Sequence, residues 1–298
     1  MISDSISSYI YTGDFLKDLH HPVTTIVWEK MPDTMSFPTD VQHFTYAQFG
    51  YDFSEKGELV ALLHTKKRVV LILETLSSAE IAPLLAHIPS SCICSILNIG
   101  AWITGILNKH TLDTLDVTNI PANIPIYEPI DIHHIHHIID IEHTHYIRLA
   151  NDELQYQLFD ESNHHLYKHP YISFIGFWYT WQKGTILTIP SLLPQVSQAL
   201  QHIQTTEWVG YDLFVVTHYW LPYSPELLTS IGQTERLIVI HDQSEDSAAK
   251  KLCATLPKDI TVSYKHPSYD ALQTILPEYI HEKAGIDGDS IAHYLLMS

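Results

Sequence analysis

The stretch Arg68-Val-Val-Leu-Ile-Leu73 decides the fold. Five of its six residues are aliphatic and do not alternate with polar ones, so a strand built from it would be apolar on both faces. Strands of this kind belong to parallel sheets that helices cover on both sides. The stretch therefore predicts a central strand of a mostly parallel α/β sheet.

Similar apolar runs recur along the chain and alternate with helical patterns. In the first half we predict strands at Val23–Trp28, Arg68–Leu73, Cys92–Leu97, Ile124–Glu128 and His145–Leu149. Helical patterns between them cover Phe53–Leu63, Ser78–His87 and Ile132–Ile141. The second half repeats the plan, with strands at Thr185–Ile189, Tyr211–Val216, Arg236–His241 and Ile260–Tyr264. Its helical patterns cover Leu193–Ile203, Pro225–Ile231, Ser244–Leu256 and Tyr269–Lys283. Two such series predict two doubly wound, mostly parallel-sheet α/β domains.

The segment between the two series has little periodicity and is rich in His, Tyr and Trp. It carries too many aromatic side chains for a flexible linker. We expect these rings to pack at a domain or subunit interface or in an intramolecular contact. The resulting division is 1–155, a connector at 156–182, and 183–298.

Charge and composition narrow the possible partners. The chain has 34 acidic and 16 basic residues and a formal net charge of −18. Nucleic acid and anionic membrane surfaces need clustered Lys and Arg, so neither is expected as a partner. Met1–His20 does not read as a signal peptide and no apolar run is long enough to span a bilayer, which predicts a cytoplasmic protein. The cysteines Cys92, Cys94 and Cys253 are expected to be buried thiols.

Three segments, taken together, resemble the second half of the transketolase superfamily. The first is Ile120-Pro-Ala-Asn-Ile-Pro-Ile-Tyr-Glu-Pro-Ile-Asp131, followed by a helix and Tyr146-Ile-Arg-Leu149. The second runs from Tyr211 to Gln243 and includes Thr234-Glu-Arg-Leu-Ile-Val-Ile-His-Asp-Gln243. The third is the tail Leu276–Ala292. The superfamily includes transketolase, 1-deoxyxylulose-5-phosphate synthase and the beta subunits of 2-oxo-acid dehydrogenases.

This resemblance implies a pyrimidine-binding domain at 1–155 and a transketolase C-terminal-like domain at 183–298. The family's pyrophosphate-binding domain, with its Gly-Asp-Gly and later Asn, does not occur in the sequence. The cofactor implied is thiamine diphosphate with Mg²⁺, held mainly by a partner chain. The assembly implied is a homodimer, a heterotetramer with a pyrophosphate-binding subunit, or both.

In that family a glutamate of the pyrimidine domain hydrogen-bonds the aminopyrimidine ring and takes part in proton exchange. Counting back from Arg68–Leu73 without gaps places this position at Tyr51. Matching Tyr46-Ala-Gln48 to the corresponding family run places it at Gln48 instead. Neither residue is a carboxylate, so the resemblance implies that the catalytic acid has been replaced.

Neighbouring residues offer alternatives for the same cofactor site. Asp52 or Glu55 would reach the cofactor in a different register, or would form the solvated first turn of a helix. The family's aromatic residue that packs on the pyrimidine corresponds to Leu76, which gives apolar contact without stacking.

A substrate-contacting histidine is also implied. The run Gly105-Ile-Leu-Asn-Lys-His110 is similar to the family's Gly-x-Thr-His, and it assigns His110 to a substrate contact or to proton transfer. The alternative is a loop histidine ahead of a helix.

The histidine-rich run His133-His-Ile-His-His137 invites a metal hypothesis. Zinc needs three or four convergent ligands, often including Cys or carboxylate. The run instead predicts a polar helix face, and no metal site is expected in this chain.

Two functions follow from these observations. The chain is a transketolase-like subunit that contributes the pyrimidine side of a thiamine diphosphate site for ketol or acyl transfer. Alternatively, it is a catalytically degenerate structural or regulatory paralogue of that subunit. The replaced carboxylate favours the second, and fold alone cannot decide between them.

Overall fold

A computed structural model describes the chain as two compact units with one sheet each. The described residues are 9–10, 14–17, 19–20, 22–29, 31, 40–49, 57–74, 78–99, 120–149, 171–174, 182–207, 209–219, 223–242, 253–254, 256, 259–267 and 280–298. None of the helices in these ranges is long and apolar enough to cross a membrane.

The first unit is built on six strands that all pair in parallel, in the order β2-β1-β3-β4-β6-β5. These strands are β1 (Thr25–Trp28), β2 (Gln42–Thr45), β3 (Arg68–Leu73), β4 (Ile93–Asn98), β5 (Ile126–Tyr127) and β6 (His145–Arg148). Helices of this unit include α1 (Gly57–Thr65), α2 (Ser78–Leu85) and α3 (Ile132–Ile139). The predicted parallel α/β sheet is confirmed.

The apolar run that decided the fold occupies the middle of this sheet. All six residues of β3 are buried, and the strand pairs with β1 on one side and β4 on the other. One helix, α3, packs Ile135, Ile138 and Ile139 into the same core as Val70 and Ile72 of β3. Each such aliphatic side chain contributes about 1.5–3 kcal/mol when fully buried.

Aspartates flank α3 at both ends. Asp131 lies just before the helix, and its carboxylate accepts the His134 N–H at 2.8 Å. The helix ends at Ile139, two residues before the predicted end, and the backbone N–H of the C-cap residue Asp140 donates to the His136 carbonyl. The capped start fixes the direction in which the helix leaves the carboxyl end of β5.

The second unit has five strands in the order β11-β10-β8-β9-β7. They are β7 (Tyr171–Phe174), β8 (Gln182–Thr188), β9 (Gly210–Val216), β10 (Arg236–Ile240) and β11 (Thr261–Lys265). The helices are α4 (Leu193–Glu207), α5 (Pro225–Thr234), α6 (Ile280–Ala284) and α7 (Gly288–Met297). Only the β7–β9 pair is antiparallel among the strand pairs of this sheet that the structure describes. The second mostly parallel sheet is thereby confirmed.

Helix α5 begins at the predicted residue, Pro225, and the local sequence explains both of its ends. Ser224 accepts the Leu227 N–H at 3.2 Å, and Pro225 occupies the first helical position, where no backbone donor is needed. The helix ends at Glu235, which has a φ of 53° and donates its N–H to the Ile231 carbonyl at 2.8 Å. This left-handed residue turns the chain directly into β10.

Two strands lie outside the predicted set. β2 is a short edge strand with polar residues, and β7 falls within the predicted connector but joins the second sheet. The helix predicted over Ser244–Leu256 lies almost wholly outside the described residues. The last part of the helix predicted over Tyr269–Lys283 appears as α6.

Candidate functional site

The strand order of the first sheet places a topological switch point at its carboxyl edge, the position at which open α/β sheets form a crevice. The chain passes from β1 to β2 on one side and then to β3 on the other, so the order reverses between β1 and β3. Helices that follow neighbouring strands leave toward opposite faces at such a point, and ligands of open α/β sheets bind there.

Two carboxylate residues meet at this crevice. Glu29 follows β1 and Glu74 follows β3, and both are half-buried. The Glu29 N–H donates to the Ile72 carbonyl at 2.8 Å, which extends the β1–β3 ladder by one residue. The Glu29 carboxylate accepts the Glu74 N–H at 2.7 Å. The switch point therefore carries an acidic side chain held by the backbone.

Sequence reasoning missed Glu29 and Glu74. The available signal was that each is an acid placed directly after a buried strand, since Trp28 and Leu73 are the last residues of β1 and β3. Acidic residues at the ends of two strands can be recognised as neighbours only when the order of the strands in the sheet is known.

Gln48 lies at the same edge, just beyond the end of β2. The chain leaves β2 at Thr45 and forms a short 3-10 turn over Tyr46–Phe49. The Gln48 side chain is exposed, and its amide oxygen accepts the Thr45 N–H at 2.7 Å. An amide at this position forms hydrogen bonds but cannot exchange a proton.

The remaining predicted site residues cannot be compared with this geometry. Tyr51, Asp52, Glu55, Leu76 and His110 all lie outside the described residues. Their assignment to the cofactor or substrate remains a prediction. Of the predicted positions, Gln48 is therefore the one that the structure locates relative to the crevice.

A tryptophan–histidine pair joins β1 to β2 next to the crevice. The buried Trp28 indole donates through Nε1 to Nδ1 of His43 at 3.3 Å. Burial lowers the pKa of His43, which favours the neutral ring that can accept this bond. This contact links β1 to β2, the strand after which Gln48 lies.

The residues that carried the first part of the family resemblance form a buried polar network. Arg148 and Glu128 make an ion pair of 2.7 Å with both side chains almost fully buried. Asn98 donates to the Tyr146 hydroxyl at 2.7 Å, and burial raises the pKa of Tyr146 to about 12. One pair joins β4 to β6, and the other joins β6 to the residue that follows β5.

The second sheet has a switch point of the same kind between β8 and β10. Thr188 donates its hydroxyl to the Ile240 carbonyl at 3.0 Å, and Ser191 donates to an Asp242 carboxylate oxygen at 3.4 Å. Thr188, Ser191, Asp242 and the neighbouring His241 are all buried. The polar groups at this edge are therefore enclosed, whereas those of the first sheet reach the surface.

The histidine-rich helix places its side chains in different environments. On α3, His133 is exposed and His134 is buried, while the His136 ring is hydrogen-bonded to the Lys17 carbonyl. Among the described residues, no three His, Cys, Asp or Glu side chains converge as a metal site would require.

Comparison with known proteins gives a match of fold. No protein-family model matches the sequence, and no curated protein matches it. Among solved structures, a split-gene transketolase described as an inactive beta4 tetramer superposes with a TM-score of 0.63. The match covers 92% of this chain and 91% of that chain at 15% sequence identity. The chain thus has the two-sheet fold of a split transketolase subunit.

Proposed function

We propose that this chain is a transketolase-like subunit that works with a separate chain carrying the pyrophosphate-binding domain. The supporting observation is the extent of the structural match, which covers nine-tenths of both chains and matches a subunit of a split transketolase. That protein's beta4 tetramer is described as inactive. By analogy, we expect this chain to form homo-oligomers that are inactive until the partner binds, and we place the assembly in the cytoplasm.

The cofactor of the proposed assembly would be thiamine diphosphate with Mg²⁺, for ketol or acyl transfer. The partner chain would hold the Mg²⁺ and the diphosphate, and this chain would face the pyrimidine ring. The residue at the best-located position does not fit the role of a proton-exchanging acid, because Gln48 has an amide. No proton step through Gln48 therefore belongs to the proposal.

Gln48 favours a second candidate function. In it, the chain keeps the fold and the assembly surface but serves as a structural or regulatory subunit. The exposed Gln48 amide already holds the Thr45 N–H within its own turn. Both candidates predict a partner, and they differ in whether the assembled complex catalyses ketol transfer.

Purification of the tagged chain from its native source tests the shared part of the proposal. We expect a co-purifying chain that contains Gly-Asp-Gly and a later Asn, together with bound thiamine diphosphate detected by mass spectrometry. A chain that elutes without such a partner and without the cofactor would rule out the subunit proposal.

Ketol transfer by the purified complex separates the two candidates, and Gln48→Glu tests whether the missing acid limits that activity. If the crevice is otherwise competent, restoring the acid raises ketol transfer between sugar phosphates by on the order of 10²-fold. Gln42→Glu is the matched control. Gln42 is exposed like Gln48, but it lies at the start of β2 and accepts a hydrogen bond from Lys66 Nζ at 2.7 Å. A complex that stays inactive with either substitution supports the structural or regulatory role.

A further inference from the structure

A cleft of about 560 Å³ opens at the amino edge of the first sheet. Its lining includes Ile93 at the start of β4, Ile124 just before β5, and Glu142 and His143 just before β6. In a parallel sheet all strands start at one edge and end at the other. This cleft is therefore at the opposite edge from Glu29, Glu74 and Gln48.

The walls of the cleft are fixed by hydrogen bonds that need no ligand. The Cys92 N–H donates to the Pro89 carbonyl at 2.9 Å. The Thr144 hydroxyl donates to the Cys92 carbonyl and accepts the Cys94 N–H, both at 3.1 Å. The loop before β5 is closed by a bond of 2.9 Å from the Ile124 N–H to the Pro121 carbonyl. A ligand entering this site would have little backbone to order, which favours binding.

The size and lining suit a small organic molecule. Pockets for such ligands usually measure about 300–1,000 Å³ and combine apolar walls with a few polar groups. Here Ile88, Ile93 and Ile124 supply apolar surface, and Asn123 supplies an exposed amide. The imidazole of His143 is fixed near the wall by a contact of 3.4 Å between its Nε2 and the Tyr127 hydroxyl.

The charge of the lining selects the ligand further. Among the described residues of the lining, Glu142 is the one with a formal charge at neutral pH. Burial raises the pKa of Cys92 to about 11 and lowers the pKa of His143, so the thiol and the imidazole are both neutral there. Arg68 interacts electrostatically with Asp140 and Glu142, which leaves this group of three with a net charge of −1. A phosphorylated or carboxylated ligand would be repelled.

We propose that this cleft binds a small organic cation that has an apolar body and a single ammonium group. The body would contact the isoleucine walls, and the ammonium would face Glu142 and the amide oxygen of Asn123. The chain's formal charge of −18 favours the approach of cations over anions. The inference stands apart from the proposed function, because it concerns the other edge of the sheet and a ligand of opposite charge to a sugar phosphate.

Tryptamine and indole-3-acetate test the proposal, because they share an aromatic body and differ in the sign of their charge. Saturation-transfer NMR on the full chain should show tryptamine binding about fivefold or more tightly than indole-3-acetate. Neutral indole-3-ethanol should fall between them. Equal binding of all three, or binding of none, would overturn the proposal.

Three variants check that the probe occupies this cleft. Glu142→Gln should weaken tryptamine about fivefold and leave indole-3-ethanol unchanged. Ser90→Trp and Asn123→Trp replace exposed residues of the lining, so they should fold and should block both probes. Glu207→Gln, an exposed change on α4, is the charge-matched control and should bind as the native chain does. Tryptamine binding that survives both tryptophan variants would place the probe elsewhere and overturn the assignment.

Discussion

In the first sheet, the side chains that follow β1 and β3 are half-buried glutamates, and Gln48 beyond β2 is exposed. In the second sheet, the side chains that follow β8 and β10 are buried, and Ser191 and Asp242 bind each other. Both edges are switch points of parallel sheets, where open α/β folds place ligands. Topology thus gives both units a switch point, while the burial of the polar side chains at that point differs between them.

The same contrast occurs within the first sheet. At its carboxyl edge the glutamates that follow β1 and β3 are half-buried, whereas the ion pair beside β4–β6 is buried. The largest expected effect tests the buried part. Arg148→Met should lower the free energy of unfolding by about 3–5 kcal/mol, because it leaves the buried Glu128 carboxylate without its partner. Chemical denaturation measures this loss.

Two further variants make the result specific to the ion pair. Arg236→Met removes a half-buried arginine from β10 and should cost less than about 1 kcal/mol. Adding Glu128→Gln to Arg148→Met should recover part of the loss, because no uncompensated charge then remains. A small loss in free energy of unfolding for Arg148→Met alone would mean that solvent reaches the Glu128 carboxylate at this part of the edge.

The next largest losses in free energy of unfolding are expected from one substitution at each switch point. Asp242→Ala should cost about 1–3 kcal/mol, because it removes the buried acceptor of the Ser191 hydroxyl. Glu29→Ala removes the acceptor of the Glu74 N–H in a half-buried position and should cost about 0.5–1.5 kcal/mol. Urea denaturation measures the loss in free energy of unfolding for both variants. A larger loss for Glu29→Ala than for Asp242→Ala would contradict the contrast between a buried and a half-buried edge.

A smaller loss is expected at the turn after β2. Gln48→Ala removes the side-chain acceptor of the Thr45 N–H and should cost about 0.5 kcal/mol, since water can replace it at an exposed site. Gln48→Glu keeps the acceptor and should be neutral within about 0.5 kcal/mol. A loss above about 2 kcal/mol for Gln48→Ala would show that this turn is not open to solvent.

The smallest expected effect is a dependence of stability on pH near His43. Burial lowers the folded-state pKa of His43 below the unfolded value, so the unfolded chain binds more protons in that range. The stability contribution is then intact above about pH 6.5 and falls as the pH drops below the unfolded pKa of about 6.5 toward the folded one. His43→Gln should flatten the stability profile between about pH 7 and 5, measured by thermal unfolding.

The same variant at pH 8 serves as the control, because His43 is neutral there in both states. Any difference from the native chain at pH 8 reports the contacts of the neutral ring, which include the hydrogen bond from Trp28. A profile that is equally steep with and without His43 would assign the pH dependence to other groups.

The sequence by itself determined the fold class and most of the parallel strands. Runs such as Arg68–Leu73 and Tyr211–Val216 are apolar without alternation, and only a sheet covered on both faces can bury them. Capping residues also fixed local boundaries, as Ser224 and Pro225 do for α5. Strand type and helix bounds can be predicted from sequence because the residues that determine them lie within a few positions of the element.

Tertiary structure alone decided the edge strands and the composition of the sites. β2 and β7 gave no clear signal, because a short edge strand meets the sheet on one side and need not be apolar on both faces. Glu29 and Glu74 are 45 positions apart, and they meet because β1 and β3 are neighbours in the sheet. The amino-edge cleft likewise combines residues that precede three different strands. Such sites depend on strand order, which is set by long-range packing and not by local sequence.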